Sequence, residues 1–327
     1  PAQLPLLFLL GILCGAGIAT FSVGTAQVSY WFPRVNQGSA LGTYAGVGNL
    51  APGIFSFLLP VALTQLGMFG SYLAWLVFLV AGTILYYVFG RNAPYFQLLA
   101  QGKTRADARK IAAERGQELF PSGNFQESLT RSARVSKTWI LVVIYFTTFG
   151  GFLALTSWLP TYWKSYLGVS AVAAGSLAGF FSILACICRV AGGNIADRLG
   201  GETTLKLALA AAAMGAVLMT ISHQYGLSLA AEMIMAVGMG VANAAVFKLV
   251  PQSVPQAVGG ASGWVGGLGA FGGFTIPPIL GAIAASQGLD GYASGYGLFI
   301  GLSLLSLALA FLLGRAPVPA GQAKPTT

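Results

Sequence analysis

Charge is what this chain has least of. Asp, Glu, Lys and Arg make up 8% of its 327 residues, where a soluble domain carries roughly 25%. So few charges cannot cover a water-facing surface, which excludes an ordinary soluble globule. Acids are the scarcer sign, eight Asp and Glu against 17 Lys and Arg. There is one histidine, His223, and there are three cysteines, Cys14, Cys186 and Cys188, each inside an apolar run. That supplies no Cys/His ligand set for a metal and no catalytic constellation, so neither an enzyme nor a cofactor is expected. The cysteines read as small packing residues at helix contacts.

What fills the sequence instead is apolar, 56% hydrophobic residues with a mean hydropathy of +0.75. Runs such as Leu4–Tyr30, Ile140–Trp163 and Leu205–Ile221 approach or exceed the ~20 residues that cross a bilayer as helix. The expected fold is an all-α polytopic membrane bundle of about nine spans, near 4–30, 39–63, 70–90, 139–163, 171–195, 204–222, 226–249, 257–286 and 292–314. The net charge of +9 does not point to nucleic acid, because of where it lies. Arg34, the group from Arg91 to Lys137, Arg198, Lys206, Lys248 and Arg315 fall in alternate gaps between spans, and so on one side. The other side has little beyond Lys164, His223 and Asp290. The positive-inside rule then puts 31–38, 91–138, 196–204, 250–256 and the tail 317–327 in the cytoplasm. No cleavable signal peptide is evident, since the first apolar run is too long and lacks a basic start.

Two Gly-rich stretches stand about 220 residues apart. GTYAGVGNLAPG covers Gly42–Gly53, and GWVGGLGAFGGF covers Gly263–Phe274. Each follows a Pro-containing cytoplasmic turn and is flanked by apolar spans, as expected of two homologous halves. The halves are 1–90 and 139–316, with 91–138 between them as a solvated linker holding some helix. The second half has three spans before its copy of the first. The economical expectation is a chain that starts at about the fourth helix of a twelve-helix protein.

The glycine spacing imitates a dinucleotide loop, but that loop needs a strand before it, and open sheets do not cross lipid. On a helix, Gly38, Gly42 and Gly46, and again Gly259, Gly263 and Gly267, repeat at i, i+4. Small residues at that spacing let helices touch, and they also leave backbone reachable by a small ligand. Packing alone and ligand approach both fit the pattern.

Polar groups inside the spans are few. Arg189 lies about 12 Å inside the end of its span marked by Asp197 and Arg198. Intramembrane arginine marks a ligand pathway by default, the alternative being snorkelling to the interface, which Arg198 already occupies. No acid in its own or adjacent spans is an obvious partner, so an anion is the natural counter-charge, and a guanidinium fork suits a planar oxyanion. Asn49 can donate to a ligand or to a neighbouring helix. Tyr145 and Phe149 stand one turn apart, and Phe21 faces small neighbours; packing is the competing role for all three. Glu232, about two turns from the external end, reads as a proton site or as a paired residue. His223 falls in an external turn.

At these residues the sequence resembles a known family. GGNIADRLGG, Gly192–Gly201, resembles the loop signature of the major facilitator superfamily in its second-half copy. The two Gly-rich helices are similar to the paired signatures of the nitrate/nitrite porter family, on its fifth and eleventh helices. The resemblance implies a carrier of nitrate, nitrite or both, working by alternating access in the cytoplasmic membrane. It implies either nitrate/nitrite antiport or symport with protons, in a monomer serving nitrate assimilation. It implies that Arg189 is the second-half substrate arginine, that Asn49 is the signature asparagine, and that Phe21 and Phe149 flank the anion while Tyr145 hydrogen-bonds it. Gly46 and Gly267 would line the same site. Gly42, Gly48, Gly263 and Gly269 would pack helices, and Asp197 and Arg198 would gate. The family's other arginine belongs to its second helix, which this sequence does not contain. Ala51 replaces a usual glycine, and Gly266 stands where some relatives have serine. Two rivals remain: a carrier of the same type for another small anion, and a membrane redox subunit binding quinone or haem, which a single histidine argues against.

Overall fold

The computed structural model of the protein describes residues 4–121 and 124–313, and every regular element among them is helical. The first, α1 (Leu4–Trp31), stops just before Pro33, which disfavours helical backbone at the residue preceding it. A 3₁₀ turn, Arg34–Asn36, leads to α2 (Gln37–Gly48). Gln37 closes this corner, its buried amide donating to the carbonyls of Ser29 at 2.9 Å and Phe32 at 2.6 Å. Helix α3 (Leu50–Phe89) follows after a break at Asn49. Pro52 has no N–H to offer the carbonyl of Gly48, which accounts for the interruption. Within α3 the backbone turns at Gly67 (φ 65°, ψ −179°), a conformation glycine adopts without strain. This is the reversal expected between the spans at 39–63 and 70–90.

The segment 91–138 is mostly exposed and carries short helices. It holds α4 (Pro94–Ala100), α5 (Arg105–Glu114) and α6 (Phe125–Ala133). Thr104 caps α5 by accepting from the Asp107 N–H, and Asn124 caps α6 by accepting from that of Glu127. Tyr95, Leu98, Ala108 and Ala112 make a small core of their own. Helix α6 then docks on the bundle, where the Ser128 hydroxyl accepts from the Gly260 N–H at 3.0 Å and the Trp264 indole donates to the Leu129 carbonyl at 3.1 Å. The charges of the run stay exposed while the few apolar residues between them form this small core.

The second half starts with α7 (Ser136–Tyr145), a π-helical turn (Phe146–Gly150) and α8 (Gly151–Ser165), which together form one span. Next come α9 (Ala171–Leu199), α10 (Gly201–Ile221) and α11 (Tyr225–Ser253). Helix α12 (Val258–Ala270) continues into α13 (Gly272–Gln287), and α14 (Asp290–Ser294) into α15 (Gly297–Leu313). The α12–α13 break at Phe271 repeats the α2–α3 break at Asn49, at the offset of the sequence repeat.

Among the described residues, seven helical stretches are long and apolar enough to cross a membrane. They match seven of the nine expected spans. The other two, 4–30 and 39–63, fall on α1, several of whose side chains lie outside the described set, and on α2 with the start of α3, where the break leaves α2 only 12 residues long. The second half has the denser core, including Trp163, Tyr162, Tyr296, Phe152, Phe181 and Phe299, all fully buried. The stretch Ala62–Phe89 buries nothing, and its apolar side chains present a surface suited to lipid.

Candidate functional site

The site is built where α2 crosses α9. Gly38, Gly42 and Gly46 of α2, followed by Gly53 of α3, meet α9 backbone in antiparallel order. A Cβ on Gly42 would stand 2.9 Å from the Arg189 carbonyl oxygen; on Gly46, 2.8 Å from that of Cys186; on Gly53, 3.3 Å from that of Gly179. Between them the Cys186 thiol donates to the Asn49 carbonyl at 2.9 Å. Helices this close leave no room for side chains, so glycine is required by contact here, not by its φ.

Arg189 projects from this crossing into a cluster of rings. It is 2% exposed, and its Cζ lies 5.5 Å from the centroid of Phe149, 5.6 Å from Phe21, 5.8 Å from Tyr145 and 5.8 Å from Phe247. Its Nη2 donates to the Tyr145 hydroxyl at 3.0 Å, while its Nε has no partner. Arg189 is in neither of the ion pairs found among the described residues, Arg131–Glu127 and Lys248–Asp197. Ring faces attract a guanidinium but do not neutralise it, so the site keeps its positive charge. Burial at this depth departs from the snorkelling reading.

The rings come from both halves of the chain. Phe21, on α1, stacks on Phe149 at 6.0 Å and 10°, and Tyr145 stacks on Phe149 at 4.9 Å. Phe149 sits in the π-helical turn, a feature that re-aims side chains and is common at functional positions. Two further rings went unnoticed in the sequence. Phe247, on α11, meets Phe21 and Tyr145 edge-on at 5.5 and 4.9 Å. Tyr44, on α2, stacks on Phe21 at 5.7 Å. An aromatic residue in an apolar run carries no mark of which way it faces, so only their place on the helices reveals them. Asn49 lies one turn along α2 from Gly46, and its buried Nδ2 has no hydrogen-bond partner.

The glycines divide. Gly42 and Gly46 are at close contact, but Gly48 and Gly267 have nothing within 4 Å of a built Cβ, and Gly263 has only an ordinary contact with Leu129 at 3.7 Å. In the second stretch the close approaches belong to Gly269, against the Tyr145 ring, to Gly272, whose Cβ would stand 2.7 Å from the Phe146 carbonyl oxygen, and to Gly273, whose Cβ would stand 2.8 Å from Leu153 Cβ. The helical period made several rows of glycine equally eligible; on α2 only the row Gly38, Gly42 and Gly46 meets a neighbour, whereas on α12 Gly260 and Gly269 meet different neighbours on different faces.

At the end of α9, Asp197 joins the two halves. Its Oδ1 accepts from the Gly38 N–H at 2.9 Å and its Oδ2 from that of Ser39 at 2.7 Å, both in the first turn of α2. These are amides without intrahelical partners, at the positive end of the helix dipole. Lys248 of α11 completes the set at 2.6 Å. Arg198 is exposed, and Lys248, read from sequence as a loop cation, is 4% exposed inside α11. The expected span ended at 249, whereas α11 runs to Ser253, which draws Lys248 a turn inward.

A polytopic helical bundle whose halves meet at a buried arginine that, among the described residues, has no acid partner has the plan of a membrane carrier. The sequence profile of the Major Facilitator Superfamily matches residues 1–277. The chain is 28% identical over 91% of its length to the nitrite extrusion protein of Bacillus subtilis, covering 68% of that protein. It is 31% identical over 95% of its length to the probable nitrate transporter NarT of Staphylococcus haemolyticus, covering 73% of it. The crystal structure of the human organic anion transporter MFSD10 superposes with a TM-score of 0.61 over 90% of this chain and 67% of that one, at 18% identity, a likeness of fold alone. The chain belongs to the major facilitator superfamily and, within it, to the nitrate/nitrite porter family.

Proposed function

We propose that this protein carries nitrate, nitrite or both across the cytoplasmic membrane by alternating access. The observation that carries the reading is Arg189: buried, unpaired with any acid among the described residues, and ringed by aromatic faces. A planar monovalent anion supplies the missing charge, and the guanidinium fork can bind two of its oxygens side by side. Tyr145 holds the fork in place through its hydroxyl. The unpaired Asn49 amide supplies a further donor one helical turn away. Gly267 leaves backbone accessible on the ligand side, while Gly46, closed against α9, sets how near the two helices come beside the anion.

Phe21 and Phe149 close over the site from opposite halves. An anion sandwiched between two faces needs them about 7 Å apart, twice a normal contact distance of about 3.5 Å. Their centroids are 6.0 Å apart. The ring pair therefore parts to admit the anion, which ties loading to relative movement of the halves 1–90 and 139–316. The contact of Asp197 with α2 gates the cytoplasmic end. The chain acts as a monomer, with segment 91–138 and the C-terminus in the cytoplasm. The names of the relatives cited above support nitrate and nitrite as cargo.

The test is counterflow of labelled nitrate in proteoliposomes, comparing wild type with Arg189→Lys at equal reconstitution. Exchange by the wild type and its loss in the lysine variant are expected, since lysine keeps the charge but not the fork. Equal exchange by both would overturn the role of the arginine. Exchange of small carboxylates in preference to nitrate would overturn the cargo.

A further inference from the structure

A second ionisable group is buried far from the anion site. Glu232, on α11, is 1% exposed. It stands 15 residues before Phe247 on the same helix, so about 22 Å along the axis at about 1.5 Å per residue. Its Oε2 accepts from the Trp163 indole N–H at 2.6 Å, and its Oε1 has no partner. From α8 the groups facing it are Trp163 and Tyr162, and from the turn between α14 and α15 it is Tyr296, whose own buried hydroxyl is unpaired. The charged residues of the neighbouring helices are elsewhere: Glu202 and Lys206 at the far end of α10, Arg189, Asp197 and Arg198 in the far half of α9, Lys137 at the far end of α7, Lys248 at the far end of α11, and Lys164 on α8 and Asp290 on α14 both exposed. A carboxylate with one neutral donor and no cation is costly in such a place.

One turn of α11 toward the near end, a run of polar groups leads to the surface. The Tyr162 hydroxyl meets the Ser228 hydroxyl at 2.8 Å, and Ser228 meets that of Ser222 at 2.7 Å. The Ser222 carbonyl accepts from the Tyr166 hydroxyl at 3.1 Å, which meets His223 Nδ1 at 2.5 Å.

We propose that Glu232 is a proton-binding site, holding the proton on Oε1 while Oε2 keeps its bond to Trp163. The neutral acid suits the closed packing of α8, α11 and α15. Release of the proton to water leaves a carboxylate that only hydration can stabilise, so it accompanies opening of this end of the second half. Bulk water supplies and receives the proton through the His223 end. Coupling of this site to transport rests on the anion-carrier reading; the protonation itself does not.

Infrared spectra of the protein in lipid nanodiscs test the protonation. In neutral buffer a protonated carboxyl C=O band is expected, lost in Glu232→Gln, retained in Asp197→Asn and moved to higher frequency in Trp163→Phe, which removes the donor. Absence of the band, or its persistence in Glu232→Gln, would overturn the site. Counterflow of nitrate at varied external pH tests the coupling. The wild-type rate is expected to change several-fold from mildly acidic to mildly alkaline buffer, and the rate of Glu232→Gln to stay flat. Equal pH dependence in both would overturn the coupling. A wild type that exchanges no nitrate at any pH would instead overturn the cargo reading and the coupling built on it, and the infrared band would still decide the proton site.

Discussion

Gly42 and Arg189 touch through their backbones: a Cβ on the glycine would stand 2.9 Å from the arginine's carbonyl oxygen and 3.0 Å from Gly193 Cα. The residue that carries the charge is therefore fixed by a glycine from the other half of the chain.

From this contact Gly42→Ala should destabilise the protein although alanine is the better helix former. Replacing glycine gains about 1 kcal/mol of helix propensity, while overpacking a close backbone contact costs about 1–3 kcal/mol. The clash wins because its partners are backbone atoms that cannot rotate away. Gly46→Leu should be worse. Gly267→Ala, with nothing within 4 Å, should leave the melting temperature unchanged or raised. Thermal unfolding in detergent checks the order; a Gly42→Ala variant as stable as Gly267→Ala would refute it.

The sequence made Arg189 conspicuous because a charge inside an apolar run has one bland explanation, snorkelling, and Arg198 already holds the interface. The repeat was legible for a similar reason, since its glycines and prolines impose backbone events, and the breaks at Asn49 and Phe271 are those events. Phe247 and Tyr44 left no such trace. Each is an aromatic residue among aliphatic ones, and packing, not chemistry, decides which face it takes. Lys248 was misplaced because a lysine near the end of an apolar run looks like a loop until its partner, 51 residues away, is known.

Phe247→Leu should separate packing from ring chemistry. Leucine keeps much of the volume but removes a π face 5.8 Å from the guanidinium. A cation–π contact contributes about 0.5–2 kcal/mol, so nitrate affinity should change by about 2- to 30-fold, with a smaller change in melting temperature than Phe247→Ala. Titration calorimetry with nitrate reads the first and thermal unfolding the second. Unchanged affinity would remove Phe247 from the site.

The ion pair at the end of α9 should be asymmetric under mutation. Lys248 and Asp197 have side chains 5% and 14% exposed, so neither is well hydrated. In Lys248→Met the carboxylate keeps the Gly38 and Ser39 amides as donors. In Asp197→Asn the ammonium keeps no anion, and the new NH₂ group must face either the lysine or one of those amides, a donor against a donor. Removing one partner of a buried pair costs about 3–5 kcal/mol. Asp197→Asn should reach that range and Lys248→Met should fall below it. The double variant should lose less than the sum of the two, because methionine removes the stranded charge. The losses are measured as unfolding free energies of the four proteins in one detergent. Additive losses, or a Lys248→Met variant less stable than Asp197→Asn, would show that the α2 amides do not stabilise the carboxylate. Asp197 would then be held by Lys248 alone, and its link between the halves would carry little energy.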